Sequence, residues 1–509
     1  MRRLALALAL ALALVVPVAG CPEQRPAPTP RRPPQAVIAA GAGSLADALT
    51  LRRPDGPEWF GLYLVGKKAG WTRTEIRREL RDGRDVVVGR TETLIRAGVG
   101  GKEVERRQEE ERIWEARVGG RLLSFRATWA GDGGDRTVTG TCERAACKAL
   151  LVSGASRDER TIADVKETVE LADAARLAAA RRGTVAGSQL DLEKLRVREV
   201  RDQFVRRDTI AGGGVSEEVG VVTESEAGDR LAAEYRVADD GRILEIRLGE
   251  AVVARPEPEE TARRLDRIDL FTVARVPLPR ALPRDVPKTI AYRLTGLPPA
   301  FQKGDARQRF EKGTEGSTVL VVSARRPLAA DPVKDTPLEK AKAGGSPDDL
   351  AATPQVNSDA PAIRALAKEV AGRSKGTYEA ARKLSEAVHD RLQKVYGASH
   401  DRASDVLVAG EGDCTEHTVL LVALARALGI PAREVHGLVY ARYGDGQDAL
   451  YWHAWAEIRS AGEWIALDPT FGQPVADATH LALGSGSQVD TVGLLGTLKV
   501  NGVEVRDAK

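Results

Sequence analysis

The chain has 509 residues, with 76 Lys and Arg against 73 Asp and Glu, and this balance of +3 offers no basic field for nucleic acid. At roughly 150 residues per domain it should hold about three structural units. Its 42% hydrophobic content supports ordinary cores, but aromatics are only 4% and Met1 is the sole methionine, so Leu, Val, Ile and Ala must fill them.

Residues 1–20 read as a leader, because Arg2 and Arg3 precede an apolar run from Leu4 to Val16 that is too short to span a bilayer. The leader closes on Val18-Ala19-Gly20-Cys21, which resembles the lipobox of bacterial lipoproteins. That resemblance implies cleavage before Cys21, lipidation of its thiol and an exported chain anchored to a bacterial membrane at the periplasmic face or cell surface. A plain signal peptide with an incidental cysteine is the alternative. Residues 21–42 then form a Pro-rich tether, stiff and extended, with Arg25, Arg31 and Arg32 between the prolines.

From residue 43 to 326 short alternating runs such as Trp59–Val65, Asp85–Gly89 and Ser317–Ser323 predict a β-rich antiparallel region. Gly120-Arg121-Leu122-Leu123 and Gly241-Arg242-Ile243-Leu244 hint at two related subunits within it. A helix is expected over Glu170–Arg182, stopped by Gly183. Cys142 and Cys147 are read as a local disulfide, two separate thiols being the alternative, since an exported chain meets an oxidising compartment. No histidine falls here, so this region is read as scaffold or binding surface. Residues 327–360, which carry neither hydrophobic period, are expected to be a linker.

Two helices should follow, one begun by Ser358 or Asp359 with Pro361 in its first turn, the other from about Thr377 to Lys394. All six histidines lie in this last part of the chain, with Cys414. Cys414 opens an apolar helix that ends at Leu428 before Gly429 and Pro431, with Asp413 and Glu416 as a capping pair. A thiol in a first turn meets unpaired N–H groups and the positive end of the helix dipole, which favour thiolate, while the two carboxylates oppose it.

Tyr451–Ile458 and Trp464–Asp468 predict a hairpin turning at Arg459-Ser460-Ala461-Gly462. Pairing Ile458 with Glu463 sets His453 opposite Asp468 and gathers Trp452, Ala454, Ala456, Ile458, Ile465 and Leu467 on one apolar face, suited to the Cys414 helix. These are the parts of thiol-based acyl transfer: Cys414 as nucleophile, His453 as base and Asp468 as the acid that orients it. The N–H of Cys414 is the expected oxyanion donor, with Tyr396 nominated as the second.

Gly-Asp-Cys-Thr-Glu-His at 412–417, Leu-Gly-Ile-Pro-Ala-Arg at 428–433, Trp-His-Ala-Trp-Ala-Glu at 452–457 and Trp-Ile-Ala-Leu-Asp-Pro-Thr at 464–470 resemble the transglutaminase-like superfamily. The resemblance covers residues 361–484, with 485–509 as a C-terminal extension, and implies an α+β fold with a papain-like core. Carried over by motif, Cys414, His453 and Asp468 are its catalytic residues. The family spans crosslinkers, deamidases, proteases and inactive scaffolds, so a protein or peptide substrate and amide chemistry are expected, with neither cofactor nor metal and no preference for hydrolysis over amine transfer. Two other readings compete: a non-catalytic interaction module on a tethered lipoprotein, and zinc held by Cys414, His417 and His453 or His436. His417, His436 and His480 are read as structural, and the tryptophans as packing.

Overall fold

The computed structural model describes residues 48–506 apart from 100–101, 132–134, 155, 213–214, 227–228, 315, 396–399, 401, 443–447 and 486–490. The leader and the tether therefore lie outside the described residues, as does Cys21. Two compact units emerge: one takes in residues 48–97 and 104–268, the other 98–103 and 269–506. Among the described residues no helix is long and apolar enough to cross a membrane.

The first unit is one antiparallel sheet of fourteen strands rather than two subunits. Its middle is the pair Glu58–Leu64 (β1) and Val252–Pro256 (β14), with Leu62 opposite Ala254. From β1 the strands follow in chain order out to Ser156–Ile162 (β8), and from β14 they run back to Thr184–Asp191 (β9). Within each of these two runs consecutive strands are neighbours, so the alternating segments with Gly and Asp turns produce two meanders, and the connection from β8 to β9 passes between the two edges. Between β8 and β9 the expected helix is present but shorter. A 3₁₀ turn over Val169–Asp173 leads into Ala174–Arg181 (α1), and Arg182, not Gly183, takes the left-handed position at φ 47°. Cys142 and Cys147 face each other across a hairpin and form a disulfide, with their Cα atoms 4.0 Å apart.

Charged residues are buried in this unit with their partners. Arg112, 2% exposed, reaches Glu110 at 2.7 Å, Glu167 at 2.6 Å and the carbonyl of Leu190 at 2.8 Å. Lys68 likewise meets Glu257 at 2.6 Å. Such ions persist in a low-dielectric interior only when every donor has an acceptor.

The second unit contains three sheets and a helical layer. Val276–Pro277 (β15) opens a five-stranded sheet, and Thr289–Thr295 (β16), Gln308–Lys312 (β17) and Thr318–Ser323 (β18) belong to a four-stranded one. After the helices Pro361–Ala371 (α2) and Thr377–Arg391 (α3), Gln393–Lys394 (β19) pairs in parallel with Glu411–Gly412 (β20), with Ala403–Ala409 (α4) between them. The Cys414 helix, Cys414–Ala427 (α5), leads to Ala432–Arg442 (β21), Asp448–Ser460 (β22), Glu463–Leu467 (β23), His480–Ser485 (β24) and Lys499–Val505 (β25). The five-stranded sheet runs β15–β22–β21–β24, with β23 beside β22.

This arrangement corrects three expected boundaries. The division falls after Ile268 rather than at 326, because β16 pairs with β25 from the supposed extension, Tyr292 opposite Val503. Residues 327–360 are not a free linker: their 3₁₀ turns set Ala329, Ala341 and Val356 into the helical core. Alternation marks a strand but not the sheet it joins, and short 3₁₀ turns have no long period to read.

At the centre lies α5, whose residues from Val419 to Ala425 are all buried, none more than 6% exposed. A helix that is apolar all round must be enclosed, and here α2, α3 and α4 cover it while Ala456, Ile458, Ile465 and Leu467 of the sheet form its floor.

Arg112→Leu strands two buried carboxylates and should lower stability by about 3–5 kcal/mol in urea unfolding. Arg77→Ala, which removes an exposed pair with Glu79 at 2.6 Å, should leave the midpoint unmoved.

Candidate active site

Asp413 caps α5 by accepting from Thr415 N–H at 2.8 Å, while Glu416 accepts from Asp413 N–H at 2.9 Å, so the expected capping pair is present. It fixes Cys414 in the first turn, only 1% exposed. The thiol meets the sheet where β22 leaves a gap. One edge of β22 is paired along its length by β21, while the other is paired by β15 at Ala449–Leu450 and by β23 at Ala456–Ser460. Between those two contacts the N–H of Ala454 turns to the sulfur of Cys414. The next residue back is His453.

The hairpin pairs two residues out of the expected register, with a shorter turn inside the expected one. Ser460 pairs with Glu463 across a two-residue turn at Ala461 and Gly462, φ 50° and 78°, the mirror-image geometry that suits twisted strands. Because strand faces repeat every two residues, a slip of two moves no side chain to the other face. Asp468 is therefore not opposite His453 but lies diagonally from it, just past the end of β23, where its own N–H and C=O bond with Gln473. The side chains still meet, His453 Nε2 to Asp468 Oδ2 at 2.7 Å. All six residues of the expected apolar face are buried, and the opposite face is covered too, Trp455 and Ala466 packing with Val435 and Ala476.

Asp468 is wholly buried and accepts four hydrogen bonds. Oδ1 takes the N–H of Thr470 at 2.8 Å and of Phe471 at 3.1 Å; Oδ2 takes His453 and, at 3.0 Å, Nε2 of His480. Burial would favour its neutral form, but the two imidazoles outweigh that and hold it far below the usual carboxylate range. His453 lies below the ordinary histidine range, because burial prevails over the pull of Asp468. Cys414 is pushed well above the usual thiol value by burial, then by Asp413 and Glu416, with the Ala454 N–H opposing. The helix N-terminus does not offset burial and those carboxyl groups, so the shifts favour the thiol form of Cys414 and the neutral form of His453.

Several participants carried no readable signal. His480, read as structural, bonds directly to Asp468. The ring of Phe471 stacks on His453 at 4.9 Å, with the ammonium of Lys394 4.5 Å above that ring. Burial lowers the pKa of Lys394, against the opposing pull of the Asp468 and Asp413 carboxylates. His389 binds the carbonyl of Pro469 at 2.9 Å and so braces the turn after Asp468. Gly437 sits opposite His453, and a Cβ there would come within 2.0 Å of the Leu481 carbonyl and 2.7 Å of the Trp455 ring. A Gly within a strand hints at such an approach, but its partner is invisible in the sequence.

His417 instead bonds the Asp413 carbonyl at 2.7 Å, and burial brings its pKa down to about 4. It serves its own helix rather than pairing with Cys414 on zinc. Among the described residues the potential ligands that converge are His453, Asp468 and His480, within 4.8 Å of one another. His436 faces Glu434 at 3.8 Å. Tyr396 lies outside the described residues.

Residues 364–469 match the transglutaminase-like superfamily, so the chain carries a domain of that superfamily there. A 250-residue alignment is 29% identical to uncharacterised proteins of Mycobacterium tuberculosis and Mycobacterium bovis, covering 42% of this chain and 78% of theirs. Among solved structures, a candidate cysteine protease of Cytophaga hutchinsonii is similar at 17% identity and TM-score 0.28, over 43% of this chain and 83% of that one. A beta-barrel-like protein of unknown function from Brucella abortus is similar at 11% identity and TM-score 0.28, over 42% of this chain and 96% of that one.

Alkylation of Cys414 should be slow at neutral pH, with a midpoint above the ordinary thiol value of about 8.5. Asp413→Asn keeps the cap but removes the nearest negative charge, and mass-spectrometric labelling should show its midpoint moved to lower pH. Gly437→Ala should cost about 1–3 kcal/mol in urea unfolding, by forcing Trp455 and β24 apart.

Proposed function

We propose that the C-terminal unit is a cysteine-dependent acyltransferase or hydrolase acting on amide bonds of proteins or peptides. The observation that carries this reading is the His453–Asp468 bond. An ionised carboxylate only accepts, so Nε2 must carry its proton and Nδ1 is left as the base. His453 adjoins Ala454, whose N–H meets the nucleophile.

In the proposed reaction the S–H bond of Cys414 breaks as its proton passes to Nδ1 of His453. Sulfur bonds to the amide carbon, and the carbonyl π pair moves to oxygen beside the N–H of Cys414. Collapse breaks the C–N bond and Nδ1 returns the proton to the leaving amine. Water or a second amine then attacks the thioester, with His453 again as base. Asp468 holds the imidazole and stabilises its transient cation. Because the thiol and imidazole rest neutral, proton transfer accompanies substrate attack instead of preceding it.

We further propose that the mature chain begins at a lipidated Cys21, held off a bacterial membrane by the Pro-rich tether. The leader and the lipobox-like sequence support this. A second reading, a non-catalytic interaction module, is favoured by one observation: the thiol is buried, and burial pushes its pKa well above the ordinary value.

Purified protein should cleave or transfer amides from a peptide and glutamine-donor library supplied with and without a primary amine. Cys414→Ala should abolish turnover, and Asp468→Asn should lower kcat by about ten-thousand-fold with substrate binding retained. Partner binding without turnover, unaffected by Cys414→Ala, would establish the second reading. Product analysis separates hydrolysis from transfer.

A further inference from the structure

Each ring nitrogen of His480 lies within hydrogen-bond distance of a carboxylate oxygen. Nε2 is 3.0 Å from Asp468 Oδ2 and Nδ1 is 3.1 Å from Asp477 Oδ1. The hydrogen bonds that both carboxyl groups accept favour their ionised forms. In Asp468, Oδ1 is occupied by two backbone N–H donors and Oδ2 already receives His453. In Asp477, Oδ1 accepts the N–H and hydroxyl of Thr479, and Oδ2 accepts Nε2 of Gln473 at 2.8 Å. The amide of Gln473 is oriented by its own carbonyl, which takes the N–H of Asp477 at 3.1 Å. A neutral His480, itself wholly buried, would point a lone pair at one of these anions, of which Asp468 is buried and Asp477 half-buried.

We infer that His480 is a permanently protonated positioning residue, an imidazolium clamped between Asp468 and Asp477 that cancels the pull of Asp468 on His453 and so keeps the Cys414–His453 pair neutral at rest. This rests on the functional reading given above. A carboxylate alone behind a histidine favours imidazolium, and through it an ion pair with thiolate. A second cation on the same oxygen removes that bias while still fixing the ring. The other charged or titratable groups around His480 are few. The His453 ring lies at 5.8 Å, Arg307 donates to the carbonyls of Asp477 and His480, and Tyr292 approaches the Ala478 carbonyl. Burial would strip the proton from His480, but its two carboxylates raise its pKa above the ordinary value, and its charge contributes to the lowering at His453.

Two measurements on the full-length protein test this. In ¹⁵N-histidine NMR spectra, with His480 assigned by its loss in His480→Gln, both of its ring nitrogens should stay protonated through pH 8. A neutral tautomer, or titration near the ordinary 6.5, would overturn the inference. In alkylation of Cys414 against pH, His480→Gln keeps a donor toward Asp468 but removes the charge. The thiol midpoint should fall by about one pH unit, and Asp477→Asn should move it the same way should the glutamine variant fail to fold. A slower rate at an unchanged midpoint would mean that His480 serves structure alone. Alkylation indifferent to His453→Ala in the otherwise native protein would overturn the functional reading instead, and the NMR spectra would still decide the charge of His480.

Discussion

The second unit depends on one buried anion. Asp468 accepts from two histidines and two backbone amides, and each bond fixes a different element: His453 on β22, His480 at the start of β24, and the turn at Thr470 and Phe471 that follows β23. A carboxylate with no water around it is tolerable only when its acceptor sites are filled. The same requirement that stabilises Asp468 therefore dictates the positions of the strands that deliver its donors. His389, by holding the Pro469 carbonyl, ties α3 to the same turn.

The nucleophile is placed by a different constraint. The buried helix α5 cannot shift without exposing apolar surface, and its capped first turn abuts the one stretch of β22 between β15 and β23 where the strand edge offers an N–H to a side chain. Sheet and helix thus bring Cys414 to the N–H of Ala454, the residue that follows His453 on the strand. The cost is electrostatic: burial and the capping Asp413 push the thiol up, and the same two causes raise Glu416 well above the carboxylate range.

The first unit solves a related problem by pairing. Its sheet has few aromatic side chains to fill space, and Arg112 with Glu110 and Glu167, or Lys68 with Glu257, occupy interior positions as closed ion groups. Such groups contribute less net stability than apolar packing but penalise any register that separates them.

The sequence by itself determined most local elements, among them the helix that Cys414 opens and the hairpin that brings His453 to Asp468. Glycine and proline stops bounded α5, the capping residues marked its start, and strand parity put His453 and Asp468 on a common face even though the register differs by two residues from the expected one. Parity survives a slip of two because side chains alternate with period two; the true register is decided by which turn fits the twist of the strands. What the tertiary structure alone decided is everything that depends on which distant segments meet. His480 joins Asp468 because β24 returns beside β21, Gly437 matters because Trp455 and Leu481 crowd it, and β25 joins β16 across more than half of the second unit. The charge state of the site was undecided for the same reason: it follows from burial and from neighbours brought in by the fold, neither of which a helix dipole inferred from a cap can reveal.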